Sequence, residues 1–300
     1  MNADRAISGQ KISNLKTRFI INPRSGHAAR YLPALTRFLQ ETGGTAVHTE
    51  RPRHAYDLAV RALAEGCALI VAVGGDGTLN EVGSALVGTT ATLGLVSCGS
   101  GNGLARHLGI HGSPAHAVDI LRHGRARLID SGLADGHPFF NVAGIGFEAE
   151  IARRFNRLRR RGFYRYLTTS AQAFRRWQPE QITIVEGHRR TPLQSFTLVV
   201  ANADQYGNNA RIAPDARVDD GQLDLCALPP VSWRSVTPLI ARLFLGKIQG
   251  GKNVTTRRGP HFVIERTSAG SLHTDGESHD AGHRIEFTVR PASLRVLVPA

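Results

Sequence analysis

The chain has 300 residues, 41% of them hydrophobic and 20% charged, enough to bury the core of one large or two ordinary soluble domains. Lys and Arg number 37 against 24 Asp and Glu, a net charge of +13 that implies an anionic partner: nucleic acid, acidic membrane or phosphorylated small molecule. Three scattered cysteines, Cys67, Cys98 and Cys226, form no Cys-x-x-Cys pair; they argue against a disulfide framework or zinc knuckle and fit reduced packing residues of a cytosolic protein.

In chain order, Met1–Arg18 is polar and lacks the apolar stretch of a signal peptide. "TRFIIN" then predicts a buried strand and His27–Gly43 a helix, closed by Gly43 and Gly44. The pattern recurs in Thr45–Thr49 with His54–Cys67, in Ala68–Val73 with Thr78–Gly88, and in Ala91–Ser97 with Gly103–Ile110. A helix over Pro114–Gly124 leads into Arg125–Ala134. Strands apolar on both faces, alternating with helices, predict a parallel sheet covered on each side. The longest apolar run, Ala68–Val73, falls far short of the ~20 residues of a membrane span.

After about Asp130 the texture changes to short strand-like runs separated by Gly, Pro and Asp. They are His137–Ala152, Gln181–Gly187, Ser195–Ala203, Gln222–Leu228, His261–Thr267, Arg284–Pro291 and Ser293–Pro299, a pattern of antiparallel sandwich or barrel. A basic helical segment, Ala149–Trp177, and an apolar helix around Val236–Lys247 interrupt it. Two domains are expected, residues 1–130 and 131–300. From Glu150 to Glu180 no acidic residue intervenes, while nine arginines from Arg153 to Arg176 interleave with Phe155, Leu158, Phe163, Tyr164, Tyr166 and Leu167. Such a segment suits an anionic bilayer surface or a solvated face; nucleic acid is a weaker reading, since no fold for it is recognisable.

Ligands of parallel α/β sheets sit beyond the carboxyl ends of the strands, where the glycine-rich stretches fall. In "AVGGDGTLNE", Gly74, Gly75 and Gly77 let the main chain turn tightly and approach a ligand, and the following helix start favours anionic oxygens. Asp76 among them either caps the helix or faces a metal–nucleotide ligand. "INPRSGHAAR" places Asn22, Arg24 and Ser25 at a second such turn, and "VSCGSGNGLARHLG" surrounds Ser100 and Asn102 with Gly99, Gly101 and Gly103 at a third. No Lys follows "GGDGT", so neither a P-loop nor a dinucleotide fingerprint is present. "TDGE" is also a favoured hairpin turn.

The ordered set "NPRSG", "GGDGTLNEV", "GSGNGLARHLG", "FFNVAGIGFEAE", "IAPDARVDDGQLDL" and "HTDGE" resembles the diacylglycerol kinase catalytic-domain family, bacterial lipid kinases and sphingosine kinases among them, from about Arg18 to Pro299. The resemblance implies an α/β N-terminal domain with a parallel sheet, NAD kinase/phosphofructokinase-like, and a mainly antiparallel β-sandwich C-terminal domain. It implies ATP held by Asn22, Pro23, Arg24, Ser25, Gly26, Thr49, Gly74, Gly75, Asp76, Gly77, Thr78, Leu79, Asn80 and Ser100. It places the general base at Asp275, with Glu277 beside it, and Mg²⁺ at Asp220 with main-chain oxygens of Arg217 and Gln222. Asp130 matches a further acidic position of the metal network.

Two departures bear on the acceptor. Gly103 stands where diacylglycerol-specific bacterial members carry an acidic residue, a pattern nearer the sphingosine-kinase branch, and Glu148 stands where aspartate is usual. A rival metal site of His273, Asp275, Glu277, His279, Asp280 and His283 lacks helical His-Glu-x-x-His spacing, and Gly276 and Gly282 indicate loops there. The expectation is a cytoplasmic, peripherally membrane-associated enzyme moving the ATP γ-phosphate to a lipid hydroxyl, two domains closing a cleft around the reacting groups. A NAD or other soluble-acceptor kinase and a nucleotide-binding regulatory protein are the alternatives. A homodimer is left open, and no nucleic acid is expected.

Overall fold

Two six-residue strands with every side chain buried form the middle of the N-terminal sheet: β3 (Leu69–Gly74) and β4 (Thr92–Ser97), after β1 (Thr17–Ile21) and β2 (Thr45–His48). The computed structural model describes residues 15–156 and 170–300. The chain divides into two units, one ending at Ser131 but including Pro291–Ala300, the other Gly132–Arg290.

In the first unit the strands run parallel in the order β2-β1-β3-β4, and the chain's last strand, β16 (Arg284–Val298), lays Arg295 and Val296 parallel to Thr92 and Leu93 of β4. Helices α1 (Ala28–Thr42), α2 (His54–Ala64), α3 (Asp76–Leu86), α4 (Gly103–His107) and α5 (Pro114–His123) connect them, before β5 (Arg125–Ala134). Each long helix buries one stripe; in α1 it is Ala28, Tyr31, Leu35 and Phe38, the spacing of a helical face. Register sets the site: Ile21 lies beside His48 and Val73, and Gly74 beside Ser97. The turns after all four strands therefore leave the sheet at one level.

The second unit contains β6 (His137–Phe139), β7 (Val142–Gly146), α6 (Phe147–Asn156), β8 (Glu180–Glu186), β9 (Arg189–Ser195), β10 (Thr197–Ala201), β11 (Leu223–Leu228), α7 (Trp233–Phe244), β12 (Thr255–Gly259), β13 (His261–Arg266), β14 (Gly270–Thr274) and β15 (Glu277–Ala281). One antiparallel sheet has the order β12-β11-β10-β7-β14-β15; in the other, the first half of β16 pairs β13, followed by β8 and β9. Alternation sorts the side chains. Leu198 and Val200 of β10 join Phe262, Ile264, Ile285 and Phe287 in the core between the sheets. Val199 and Ala201 point the other way, into a second cluster with Ile212, Cys226 and Ile248, against which Leu239 and Leu243 of α7 pack.

The parallel α/β half and the antiparallel sandwich half are those expected, with four differences. The runs Arg284–Pro291 and Ser293–Pro299 are one strand bent at Ala292, whose φ is +47°. Because that strand returns to β4, Pro291–Ala300 belongs with the first unit, not with the C-terminal domain. Gly276 and Gly282, read as marks of loops, flank strand β15; "TDGE" is the hairpin turn the sequence also offered, and the strands on either side of it, at a sheet edge, were not expected. Helix α3 begins at Asp76 rather than Thr78, since extended Gly75 is its N-cap. Of the basic segment, residues 157–169 lie outside the described residues. No described helix is long and apolar enough to cross a membrane.

Candidate functional site

The turns after β1, β3 and β4 are held together main chain to main chain. Asn22 N–H donates to the Val73 carbonyl (2.9 Å), His27 N–H to Cys98 (3.0 Å) and Cys98 N–H to Gly74 (2.7 Å). A Cβ on Gly99 would stand 2.7 Å from Gly75 Cα, and one on Gly26 2.9 Å from the Cys98 carbonyl oxygen. Glycine is required there by close approach of backbone to backbone, not by a left-handed φ.

Asp76 caps a helix, though not its own. Its carboxylate accepts from Asn102 N–H (2.9 Å) and Gly103 N–H (3.1 Å), the start of α4. Asn102, buried in a left-handed conformation (φ +54°), clamps Gly99: its Oδ1 accepts from Gly99 N–H (3.1 Å) and its Nδ2 donates to the Gly99 carbonyl (2.6 Å). Asn102 was not among the expected site residues; an asparagine flanked by glycines, the residue types that enter the left-handed region, was the available signal.

The other expected residues of this unit divide by exposure. Pro23, Arg24, Gly26 and Ser100 are exposed, whereas Asn22, Ser25, Thr49, Gly75, Asp76 and Gly77 are half-buried. Asn22 Nδ2 donates to Thr78 Oγ1 (3.1 Å), and Thr49 N–H to the Ile21 carbonyl (2.9 Å). Gly74, Thr78, Leu79 and Asn80 are buried, so they support the turns from beneath. A void of about 10 Å³ among Gly74, Gly75, Asp76, Ser97 and Asn102 admits at most about one water, so any larger ligand must lie on the outer side of the turns. There Gly77 and Thr78 occupy the first turn of α3, where a helix offers its own N–H groups no acceptor and its dipole favours an anion.

In the second unit, Asp275 and Gly276 form the two-residue turn of the β14–β15 hairpin, with φ of +50° and +87°. The turn is also a binding device. Asp275 Oδ1 accepts from Asn141 N–H (2.9 Å) and Val142 N–H (3.0 Å), Oδ2 from Phe140 N–H (2.9 Å), and Asp275 N–H donates back to the Val142 carbonyl (2.8 Å). "FFNVAG" and "HTDGE" thus lock into one element, and the carboxylate is fixed in direction. Asn141, beside it, has a buried Oδ1 without a hydrogen-bond partner among the described residues. Glu277 pairs Thr274 at the start of β15, half-buried. His279 stacks on His137 and bonds Thr274 Oγ1 (2.7 Å).

The expected magnesium ligands were the Asp220 carboxylate and the main-chain oxygens of Arg217 and Gln222, and the structure shows what surrounds that carboxylate. Asp220 Oδ1 accepts from Gln222 N–H (3.1 Å), while its Oδ2 is paired with the Arg258 guanidinium. Both carboxylate oxygens of Asp220 are thus engaged by protein groups. Arg217 lies 3.6 Å from Asp219. Burial pushes Asp224 up from 3.8 to about 6, with Arg258 opposing the rise and Asp220 and Asp215 adding repulsion, so this is a crowded anionic corner that Arg258 offsets only in part. No group of three or more His, Cys, Asp or Glu among the described residues is arranged to hold a metal ion. The histidines of the rival transition-metal reading fail the same test.

Asp130 lies on β5 in the first unit, 2% exposed, with its Oδ1 accepting from the N–H of Ala292 (2.7 Å) at the bend of β16. Asp130→Ala is therefore expected to lower unfolding stability by about 1 kcal/mol in chemical denaturation, because the N–H of exposed Ala292 exchanges its carboxylate acceptor for water and the net contribution of that bond is lost. Asp130→Asn, which keeps an oxygen, should cost clearly less. Equal stability of the two variants would refute this role. Glu148, the other departure, is bracketed in the second unit by His273 Nε2 and the Tyr206 hydroxyl, tying the start of α6 to β14.

Both halves of the chain are similar to known proteins. Residues 16–134 match the model of the diacylglycerol kinase catalytic domain, and residues 141–298 that of the YegS C-terminal NAD kinase beta sandwich-like domain. A Pseudomonas aeruginosa protein named "Probable lipid kinase YegS-like" is 34% identical over 253 residues, covering 80% of this chain and 79% of that one. A diacylglycerol kinase of Mycobacterium tuberculosis is 28% identical over 302 residues, 95% of each chain. A crystal structure of a diacylglycerol kinase from Bacillus anthracis superposes with a TM-score of 0.70 at 18% identity, covering 94% of this chain and 96% of that one, a likeness of fold.

Proposed function

This chain belongs to the diacylglycerol kinase catalytic-domain family, its second half being of the YegS C-terminal type, and on that premise we propose that it transfers the γ-phosphate of ATP to the hydroxyl of a lipid of diacylglycerol or sphingoid-base type. The observation that carries the nucleotide half of this reading is the level edge where three glycine turns lock together beside the first turn of α3. Main-chain N–H groups and a helix N-terminus are suited to phosphate oxygens. ATP enters as its magnesium complex, the metal arriving with the substrate. Arg24 and Ser100, exposed at the edge, are suited to the outer oxygens.

Phosphoryl transfer asks for positioning and charge neutralisation more than covalent help. The lipid hydroxyl oxygen forms a bond to the γ-phosphorus, the bond from γ-phosphorus to the bridging oxygen breaks, and ADP leaves. The hydroxyl proton passes to the Asp275 carboxylate, whose direction is set by the N–H groups of Phe140, Asn141 and Val142. Association with the membrane is peripheral in this reading.

The test is transfer from γ-labelled ATP by the purified chain to a panel of diacylglycerol, monoacylglycerol and sphingoid bases. Label in the organic-solvent extract is the expected outcome. Label confined to the aqueous phase would replace the reading with a soluble-acceptor kinase, and ATP binding without any product with a regulatory protein.

A further inference from the structure

Helix α7 carries more apolar surface than the sheet beneath it uses. Ser232 and Ser235 cap it reciprocally, and none of its residues is buried. Leu239 and Leu243 reach the cluster on the outer face of the six-stranded sheet. At 3.6 residues per turn, Trp233, Ile240 and Phe244 fall within about 40° of one another around the axis, a second stripe roughly 100° from the Leu239–Leu243 side. Trp233 meets Phe174 edge-on, ring centroids 4.5 Å apart, and the rest of this stripe is open among the described residues. Six large hydrophobics are exposed among the described residues, and four of them are Trp233 (60%), Ile240 (48%), Phe244 (54%) and Leu245 (69%).

Charge selects the occupant. From Leu225 to Ile264 there is no Asp or Glu, while Arg234, Arg242, Lys247, Lys252, Arg257 and Arg258 all occur. Arg257 and Arg258 are engaged by Glu186 and Asp220. Arg234, Lys247 and Lys252 are exposed around the stripe. One anion lies close, Asp215 lining the same hollow as Arg242 and Lys247, but cations outnumber it, and aromatic and aliphatic side chains set among them complement an anionic bilayer. A second copy of a chain of charge +13 would bring like charges together at this face.

We propose that α7 and Leu245 are the surface by which this protein docks on an anionic lipid bilayer. Trp233, Ile240, Phe244 and Leu245 enter the boundary between headgroups and acyl chains, and Arg234, Lys247 and Lys252 meet the lipid phosphates. The surface gives the lipid kinase read above its access to substrate, and in that purpose it rests on that reading; the docking itself is measured without turnover.

The experiment uses the full chain and vesicles of phosphatidylglycerol mixed equally with phosphatidylcholine, against vesicles of phosphatidylcholine alone. Wild type should sediment with the mixed vesicles and much less with the neutral ones. Ile240→Ser combined with Phe244→Ser should weaken partitioning by about tenfold or more, and Lys247→Glu with Lys252→Glu should weaken it selectively on the anionic vesicles. In a Trp177→Phe background Trp233 is the remaining tryptophan, and its emission should shift to the blue on vesicle addition. Activity toward an acceptor dispersed in detergent micelles should be equal in wild type and the α7 variants.

Undiminished partitioning of the Ile240/Phe244 variant, or an unshifted Trp233, overturns the proposal. So does a wild-type dimer that the variant abolishes while vesicles are ignored, or retention of a soluble protein in place of vesicles. If wild type binds vesicles, the variant does not, and neither labels any lipid, the kinase reading fails while the docking surface stands.

Discussion

Asp275→Asn is expected to lower the rate of phosphate transfer about a hundred- to ten-thousandfold, the range in which a positioned general base contributes. KM for ATP should change little, because the residue lies outside the unit that bears the glycine turns. The substitution also has a structural cost. The carboxylate accepts from three N–H groups of residues 140–142 through both oxygens, and an asparagine presents one oxygen and one donor to the same ring. At least one N–H would then face an amide hydrogen, a loss of about 1–3 kcal/mol. The two effects separate by temperature: turnover is measured well below the variant's own melting point, with melting followed in parallel. A folded Asp275→Asn protein that turns over at the wild-type rate would reduce this aspartate to a turn-former.

Gly99→Ala carries the second large effect. Its Cβ would lie 2.7 Å from Gly75 Cα and 2.8 Å from Asn102 Oδ1. No rotamer relieves a contact with main chain. The strands behind these turns are fixed in register, Gly74 beside Ser97, so the turns themselves must part. The expected result is about a hundredfold loss in kcat/KM for ATP, with overpacking costing about 1–3 kcal/mol of stability. Gly75→Ala meets its nearest atom at 3.2 Å and should be milder. Titration of ATP binding by calorimetry checks both, and equal affinity in Gly99→Ala and wild type would disconnect these turns from the nucleotide.

Local pattern announced what local physics decides. The runs that became β3 and β4 are apolar on both faces, and their helices bury stripes at helical spacing, so the parallel sheet and the position of its glycine turns were legible. Long-range satisfaction of polar groups was not. The partners of Asp76 are 26 and 27 residues away and those of Asp275 more than 130, and no periodicity encodes either. The unity of β16 was hidden because Pro291 and Ala292 look like a break; the left-handed alanine is tolerated where its N–H meets Asp130. The turn of hairpin β14–β15 was legible in "TDGE", but its strands were masked by their polar edge residues. The sequence marked α7 only as an apolar helix, and the packed structure distinguishes the part of it that Leu239 and Leu243 bury from the part left exposed.

The return of β16 to β4 has a consequence for folding. The sheet that carries the glycine turns draws its Leu294 and Val296, both fully buried, from beyond the entire sandwich half. The first unit therefore cannot complete its sheet locally: the flank of β4 stays unpaired until the end of β16, which follows the whole of the second unit, has joined it. A chain interrupted before β16 lacks one strand of the sheet that carries the glycine turns.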